Sequence, residues 1–274
     1  MAANEEPGPS WEELLGSKHW GSLLDPHNLS LCKFIIRCGE FCQATYDTFN
    51  NDQNFKFCGS SRYGKSSFFQ KSFRSLFARS ISRESWDRES NWIGNIASTS
   101  DKTSEALGRR EIYVAWRGTT RGYEWINVFD PKLESVEPLL RDKQNDGNNS
   151  SNSGSGDENE KQPKVMFGWL TLYISDDPRS PFTKLSARAQ LLGKIKELKE
   201  RYKGENISIV FTGHSLGASL ATLSAFDVVE SGIVDDIPVG NKAFDERTKR
   251  RSPSLKELTD PSDWHVVTGW NGEI

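Results

Sequence analysis

The chain has 274 residues, with 35 Lys and Arg against 38 Asp and Glu for a formal net charge of −3, a balance that argues against nucleic-acid recognition through a clustered basic footprint. That length accommodates one large domain with a substantial core, and no apolar run approaches the ~18 residues that a membrane span needs. Hydrophobic residues make up only 35% and the mean hydropathy is −0.64, but the polarity is concentrated in particular segments, so a globular core is expected. Met1 to Ser10 is acidic and contains Pro and Gly, without the basic flank and apolar centre of a secretory signal. A cytoplasmic protein is the expectation.

Trp11 to Phe49 reads as largely helical, with a break at Asp25-Pro26. Leu31, Phe34, Ile35, Cys38, Phe41, Cys42 and Tyr46 recur at helical spacing, which places the thiols on a packed helix face. Cys38 and Cys42 sit one turn apart, but no CxxC pair or completing histidine set makes them a metal site. Ser61 to Ser82 is basic and aromatic: Phe68, Phe69 and Phe73 would insert at an anionic lipid surface, or Phe69, Phe73, Leu76 and Phe77 would cover the core. The second alternative is favoured. Trp92 to Ser98 and Glu111 to Trp116 are strand-like, with a loop expected over Ser100 to Gly108.

Asp142 to Pro163 contains Asn, Ser, Gly and charges without a large apolar residue. Such a segment cannot bury enough surface to offset its ordering entropy, so a disordered surface loop is expected within a single domain spanning 1–274. Lys184 to Tyr202 then reads as a helix with Leu185, Ala189, Leu192, Ile195, Leu198 and Tyr202 on one face and Gly204 as its stop.

Chemistry enters at Ile207 to Val229. A β-branched and aromatic run ends in Gly213-His214-Ser215-Leu216-Gly217, and an alanine-rich helix follows. This is the strand, tight turn and helix that a G-x-S-x-G nucleophile elbow requires: small residues flank Ser215 so that strand and helix approach, and its hydroxyl stands at a helix N-terminus where an oxyanion is stabilised. A serine nucleophile needs a base. Of His19, His27, His214 and His265, only His265 follows the nucleophile in the order this architecture uses. Tyr113 to Thr120 is a strand running into a Gly-containing turn, the usual place for a second oxyanion donor. Thr119 would donate there, beside the Leu216 N–H.

Trp116-Arg117-Gly118-Thr119-Thr120 with Tyr123-Glu124-Trp125, then Val165 to Thr171, then Gly213 to Gly217 resemble the class 3 lipases. Ser82 to Gly94 and Tyr173 to Pro178 narrow the resemblance to the plant phospholipase A1-II group. It implies an α/β-hydrolase fold, a mostly parallel sheet flanked by helices, and a cytosolic serine acylhydrolase. Such an enzyme removes the sn-1 acyl chain of glycerophospholipids at a membrane surface without a metal or cofactor. It also implies Ser215 as the acyl-enzyme nucleophile, Thr119 in the oxyanion turn, and a lid over Arg121 to Asp130.

After the nucleophile helix the pattern breaks. Ile237-Pro238 runs straight into Val239-Gly240-Asn241-Lys242, and Arg247 to Arg250 straight into Arg251 to Leu255, where the family carries strands. His265 matches the family histidine ambiguously, and no residue matches the triad aspartate; Asp260 and Asp263 are the nearest acids in order. A missing acid costs on the order of 10⁴-fold in a serine protease, so weak or absent turnover is expected. The alternatives are a catalytically impaired relative that binds lipid or a partner, and an esterase acting on neutral lipids.

Overall fold

The computed structural model describes residues 8–52, 54, 58–62, 73–79, 90–120, 132–140, 163–178 and 183–234, with the backbone alone over 73–79 and 90–91. The elements are α1 (Trp11–Leu14), α2 (Leu29–Thr48), β1 (Phe73–Arg79), β2 (Ser90–Ser98), α3 (Asp101–Leu107), β3 (Arg110–Trp116), β4 (Leu133–Ser135), β5 (Lys164–Met166), α4 (Phe167–Ile174), α5 (Ala187–Arg201), β6 (Ile207–Gly213) and α6 (Leu216–Glu230).

The main sheet has the order β1-β2-β3-β6. Its strands are mixed in direction: β1/β2 and β2/β3 are antiparallel and β3/β6 is parallel. Chain length between partners decides this. Short connections return the chain antiparallel, whereas a parallel pair needs a long crossover, here from β3 to β6 by way of β4, β5, α4 and α5. The antiparallel β4/β5 pair forms a separate ribbon. Of the basic aromatic stretch over 61–82, residues 73–79 form β1; the low-complexity segment over 142–162 lies outside the described residues.

The two faces of the sheet follow the strand period of two. Ile112, Val114 and Trp116 of β3 with Ile209 and Phe211 of β6 face one side, where Leu191, Ile195 and Leu198 of α5 and Leu220 and Leu223 of α6 complete the core. Trp116 is fully buried, donates its indole N–H to Ser224 Oγ at 2.9 Å and meets Tyr173 edge-on. Below it, Asp227 of α6 is completely buried. Arg188 of α5 reaches it with Nε at 2.9 Å and Nη2 at 2.8 Å, and the Tyr173 hydroxyl donates to it at 2.8 Å. Charge-assisted bonds of this kind satisfy a carboxylate that burial would otherwise penalise heavily. The Arg188 guanidinium is held charged by the same contact, and burial pushes the Tyr173 phenol well up.

The opposite face carries α2. Phe41 stacks on Tyr113 with ring centroids 4.2 Å apart, Cys42 Sγ lies 3.0 Å from Thr212 Oγ1, and Arg37 pairs with buried Glu111 at 3.1 Å. The thiols thus sit on the packed face, as their spacing indicates. Burial pushes both Cys38 and Cys42 up, Cys38 to about 12, although Cys38 keeps part of its area exposed. Both thiols are expected to resist iodoacetamide at pH 8 in the folded protein and to react once it is unfolded, as read by peptide mass mapping. The Cys38 contribution to stability is intact below about pH 8.5, the ordinary thiol value. It is lost as pH rises towards 12, because the unfolded thiol ionises while the folded one does not.

Three expectations need correcting. Ser100 to Gly108 is no loop: Asp101–Leu107 form α3, with Ser100 Oγ accepting the Thr103 N–H and Gly108 closing it at φ 66°. The capping residues decide here, where weak periodicity hides the helix. The N-terminal break is wide, with turns between α1 and α2 rather than one kink. The helix α5 begins at Ala187 behind the Ser186 cap, so its buried face runs through Ala187, Leu191, Ile195 and Leu198, and Leu185 is left 54% exposed.

Candidate active site

Only His214 and Ser215 separate β6 from α6. Ser215 has φ 56° and ψ −126°, a region that L residues avoid and that costs about 1–3 kcal/mol. The neighbours force it. A Cβ on Gly213 would collide with the Gly217 carbonyl, and one on Gly217 would collide with the Trp116 carbonyl, so glycine is required at both ends of the turn. The Gly217 and Ala218 N–H groups bond back to His214 O and Ser215 O, each at 2.9 Å. Among the described residues neither the Ser215 hydroxyl nor the Leu216 N–H has a hydrogen-bond partner. The elbow therefore presents a half-buried hydroxyl and a free donor at the positive end of a helix.

The parallel register sets Trp116 opposite Gly213, so the turn after β3 meets the elbow. Arg117 stiffens that turn. It is 2% exposed, donates Nε–H to Trp92 O at 3.1 Å, and uses Nη1 for Gly118 O at 2.8 Å and Thr120 Oγ1 at 2.7 Å. Its guanidinium lies 3.9 Å above the Phe49 ring, a cation–π contact that offsets its burial. Next to it, Thr119 Oγ1 is buried without a hydrogen-bond partner among the described residues. A buried orphan hydroxyl is costly unless something else fills its valence. Here it stands in the same turn whose backbone packs on the nucleophile elbow.

The β3/β6 pair thus brings Thr119, Ser215 and Leu216 to one end of the sheet. His265, Asp260, Asp263 and the expected lid over 121–130 lie outside the described residues. His19 and His27 are exposed in the N-terminal turns. His214 faces away from base duty, since its Nδ1 is 2.9 Å from the Tyr46 hydroxyl. Among the described residues no group of three or more His, Cys, Asp or Glu is arranged to hold a metal ion. Sequence reading passed over two residues. Arg117 carried a faint signal, a cation between an apolar strand and a Gly-Thr turn; Tyr46 carried none beyond its place in a helical repeat.

The model of the family Lipase (class 3) matches residues 113–252. Phospholipase A1-IIdelta of Arabidopsis thaliana is 45% identical over 345 aligned positions, covering 96% of this chain and 84% of that protein. Phospholipase A1-II 5 of Oryza sativa subsp. japonica is 36% identical, covering 96% of this chain and 71% of that protein. The first alignment is longer than the 274 residues of this chain, so that relative contains stretches without a counterpart here. Among solved structures, the nonglycosylated Yarrowia lipolytica LIP2 lipase aligns with a TM-score of 0.37 at 16% identity, covering 73% of this chain and 55% of that one.

Proposed function

The chain belongs to the class 3 lipase family of carboxylic ester hydrolases, within the plant phospholipase A1-II group, and we propose that it cleaves the sn-1 acyl ester of glycerophospholipids through an acyl-enzyme on Ser215. Ser215 Oγ attacks the ester carbonyl while His265 takes its proton. The carbonyl oxygen becomes an oxyanion that the Leu216 N–H and the Thr119 N–H and hydroxyl receive. Collapse expels the lysophospholipid alkoxide, which is protonated by the imidazolium. Water, activated by the same histidine, then releases the fatty acid and restores Ser215. The observation that carries this reading is the elbow itself: Ser215 at φ 56° between two glycines that nothing larger can replace, with the Leu216 N–H unbonded among the described residues.

No helix among the described residues is long and apolar enough to cross a membrane, and the enzyme is proposed to work in the cytoplasm on a membrane surface. No metal, cofactor or nucleic acid enters the scheme. No residue of the sequence matches the triad aspartate of the family, and turnover slower than that of a complete triad is expected on that ground. A second reading, a lipid-binding relative without turnover, draws on the longer alignment with the Arabidopsis relative.

Phosphatidylcholine vesicles carrying distinguishable sn-1 and sn-2 chains test the proposal. The wild-type chain is expected to release the sn-1 acid, and Thr119→Val is expected to lower kcat on the order of 10²-fold by removing an oxyanion donor. Vesicle binding without release of either acid would replace the hydrolase reading with the second one. Release from short soluble esters alone would make the chain a neutral esterase.

A further inference from the structure

Successive turns at the end of α2 reach both the nucleophile elbow and the turn after β3. Cys42 Sγ lies 3.0 Å from Thr212 Oγ1, one residue before the elbow; the Tyr46 hydroxyl lies 2.9 Å from His214 Nδ1; and Phe49, capping the helix, lies beneath the Arg117 guanidinium. The Tyr46 ring also meets the His214 imidazole at an edge, with centroids 5.9 Å apart and planes at 62°. In the turn after β3, the place where a Cβ of Gly118 would stand is occupied by that same Tyr46 hydroxyl and by His214 O at 2.5 Å. One phenol oxygen therefore touches the residue before Ser215 and the residue before Thr119. Tyr46 stands outside residues 113–252, the part matched by the family model.

We propose that Tyr46 is a positioning residue that sets the spacing between the nucleophile elbow and the oxyanion turn through its hydrogen bond to His214, an inference that rests on the hydrolase reading above. The elbow is a strained turn: Ser215 holds φ 56° only because its surroundings over-determine it. The His214 backbone leads directly into that strained residue, so the torsions of His214 set where Ser215 Oγ and the Leu216 N–H point. Fixing the imidazole at Nδ1 fixes those torsions. The wedge of the phenol against Gly118 fixes the opposite donor. Oxyanion donors act only when they lie about 2.7–3.1 Å from the developing charge, and misplacement by about 1 Å costs up to 10²-fold. The substrate does not touch Tyr46 in this scheme, so the effect falls on the transition state and not on binding.

Tyr46→Phe deletes a single oxygen and keeps the ring. It is expected to lower kcat, and the rate of fluorophosphonate labelling of Ser215, by about tenfold with KM within about twofold, the pattern of an interaction realised only in the transition state. In a His214→Ala background the same substitution is expected to change kcat less than about twofold, because the two residues act as one unit. His214→Asn, which keeps a hydrogen-bonding atom near the place of Nδ1, is expected to retain activity that His214→Ala loses. A kcat for Tyr46→Phe within twofold of wild type, or an equal loss in both backgrounds, overturns the proposal. Should the wild-type chain prove inert to the probe, the hydrolase reading fails by itself, and nuclear magnetic resonance decides the positioning claim. Shifts of the His214 ring nitrogens together with the Thr119 and Leu216 amides in Tyr46→Phe support it; unmoved signals overturn it.

Discussion

Ser215→Ala is expected to abolish fluorophosphonate labelling and to lower ester hydrolysis by on the order of 10²-fold, less than the ~10⁶-fold of a complete triad because triad members act as a unit and no aspartate matches here. The reason lies in the turn. Ser215 is the residue of the elbow held at positive φ, with its hydroxyl free of hydrogen bonds among the described residues and a helix N-terminus directly behind it. Alanine adopts that backbone no more easily than serine, so the fold is left as it was and only the attacking oxygen disappears. The substitution is therefore a test of chemistry alone, provided that thermal unfolding of the variant matches wild type. Labelling that persists in Ser215→Ala would place the reactive serine elsewhere and remove the basis of the proposed reaction. Wild-type protein that is folded yet unlabelled would turn the chain into the binding relative.

The second large effect concerns stability. Arg188→Met is expected to destabilise the fold by about 3–5 kcal/mol, because it strands a carboxylate in a dry interior. Asp227 is completely buried, and its bonds come from Arg188 and from the Tyr173 hydroxyl. With the guanidinium gone, one phenol is left to solvate a full negative charge. In a domain of this size each kcal/mol moves Tm by about 2–4 °C, so the transition should fall by roughly 6–20 °C. Replacing both charges, as in Arg188→Met with Asp227→Leu, is expected to recover much of the loss, since a packed apolar pair avoids the desolvation cost that the ion pair carries. Urea titration of the three proteins measures both steps. A single-variant loss below about 1 kcal/mol would mean that water reaches Asp227 and that the pair is a surface contact in energetic terms.

The pair also illustrates how structural and chemical roles separate on one helix. Asp227 stands twelve residues beyond Ser215 on α6, about 18 Å along the axis at 1.5 Å per residue. It cannot orient a base for that serine. It is a carboxylate on the nucleophile helix, but its partners belong to the packing between α4, α5 and α6.

What was legible in the sequence was whatever short-range chemistry encodes. The strand before Gly213, the alanine-rich helix after Gly217 and the need for small residues around Ser215 all act within a few residues, and β6, the elbow and α6 form where that spacing puts them. The helical repeat through Cys38, Cys42 and Tyr46 likewise becomes α2, with Cys42 packed on the sheet. Local reading went astray where two weak signals competed. Ser100 and Gly108 cap a helix whose interior has no apolar stripe to announce it, and Leu185 carries the apolar period one residue ahead of the Ser186 cap.

The sequence by itself determined the family, the nucleophile candidate and the turn beside it, because motif, spacing and backbone strain are properties of a continuous stretch of chain. Only the tertiary structure decided which distant groups complete that stretch. Tyr46 meets His214 across 168 residues, Arg188 reaches Asp227 across 39, and Arg117 is buried against Trp92 and Phe49. No periodicity encodes such pairs. They follow from how α2 and α5 dock on opposite faces of one sheet, and a docking geometry is fixed by the packing of whole faces, not by any single residue along them.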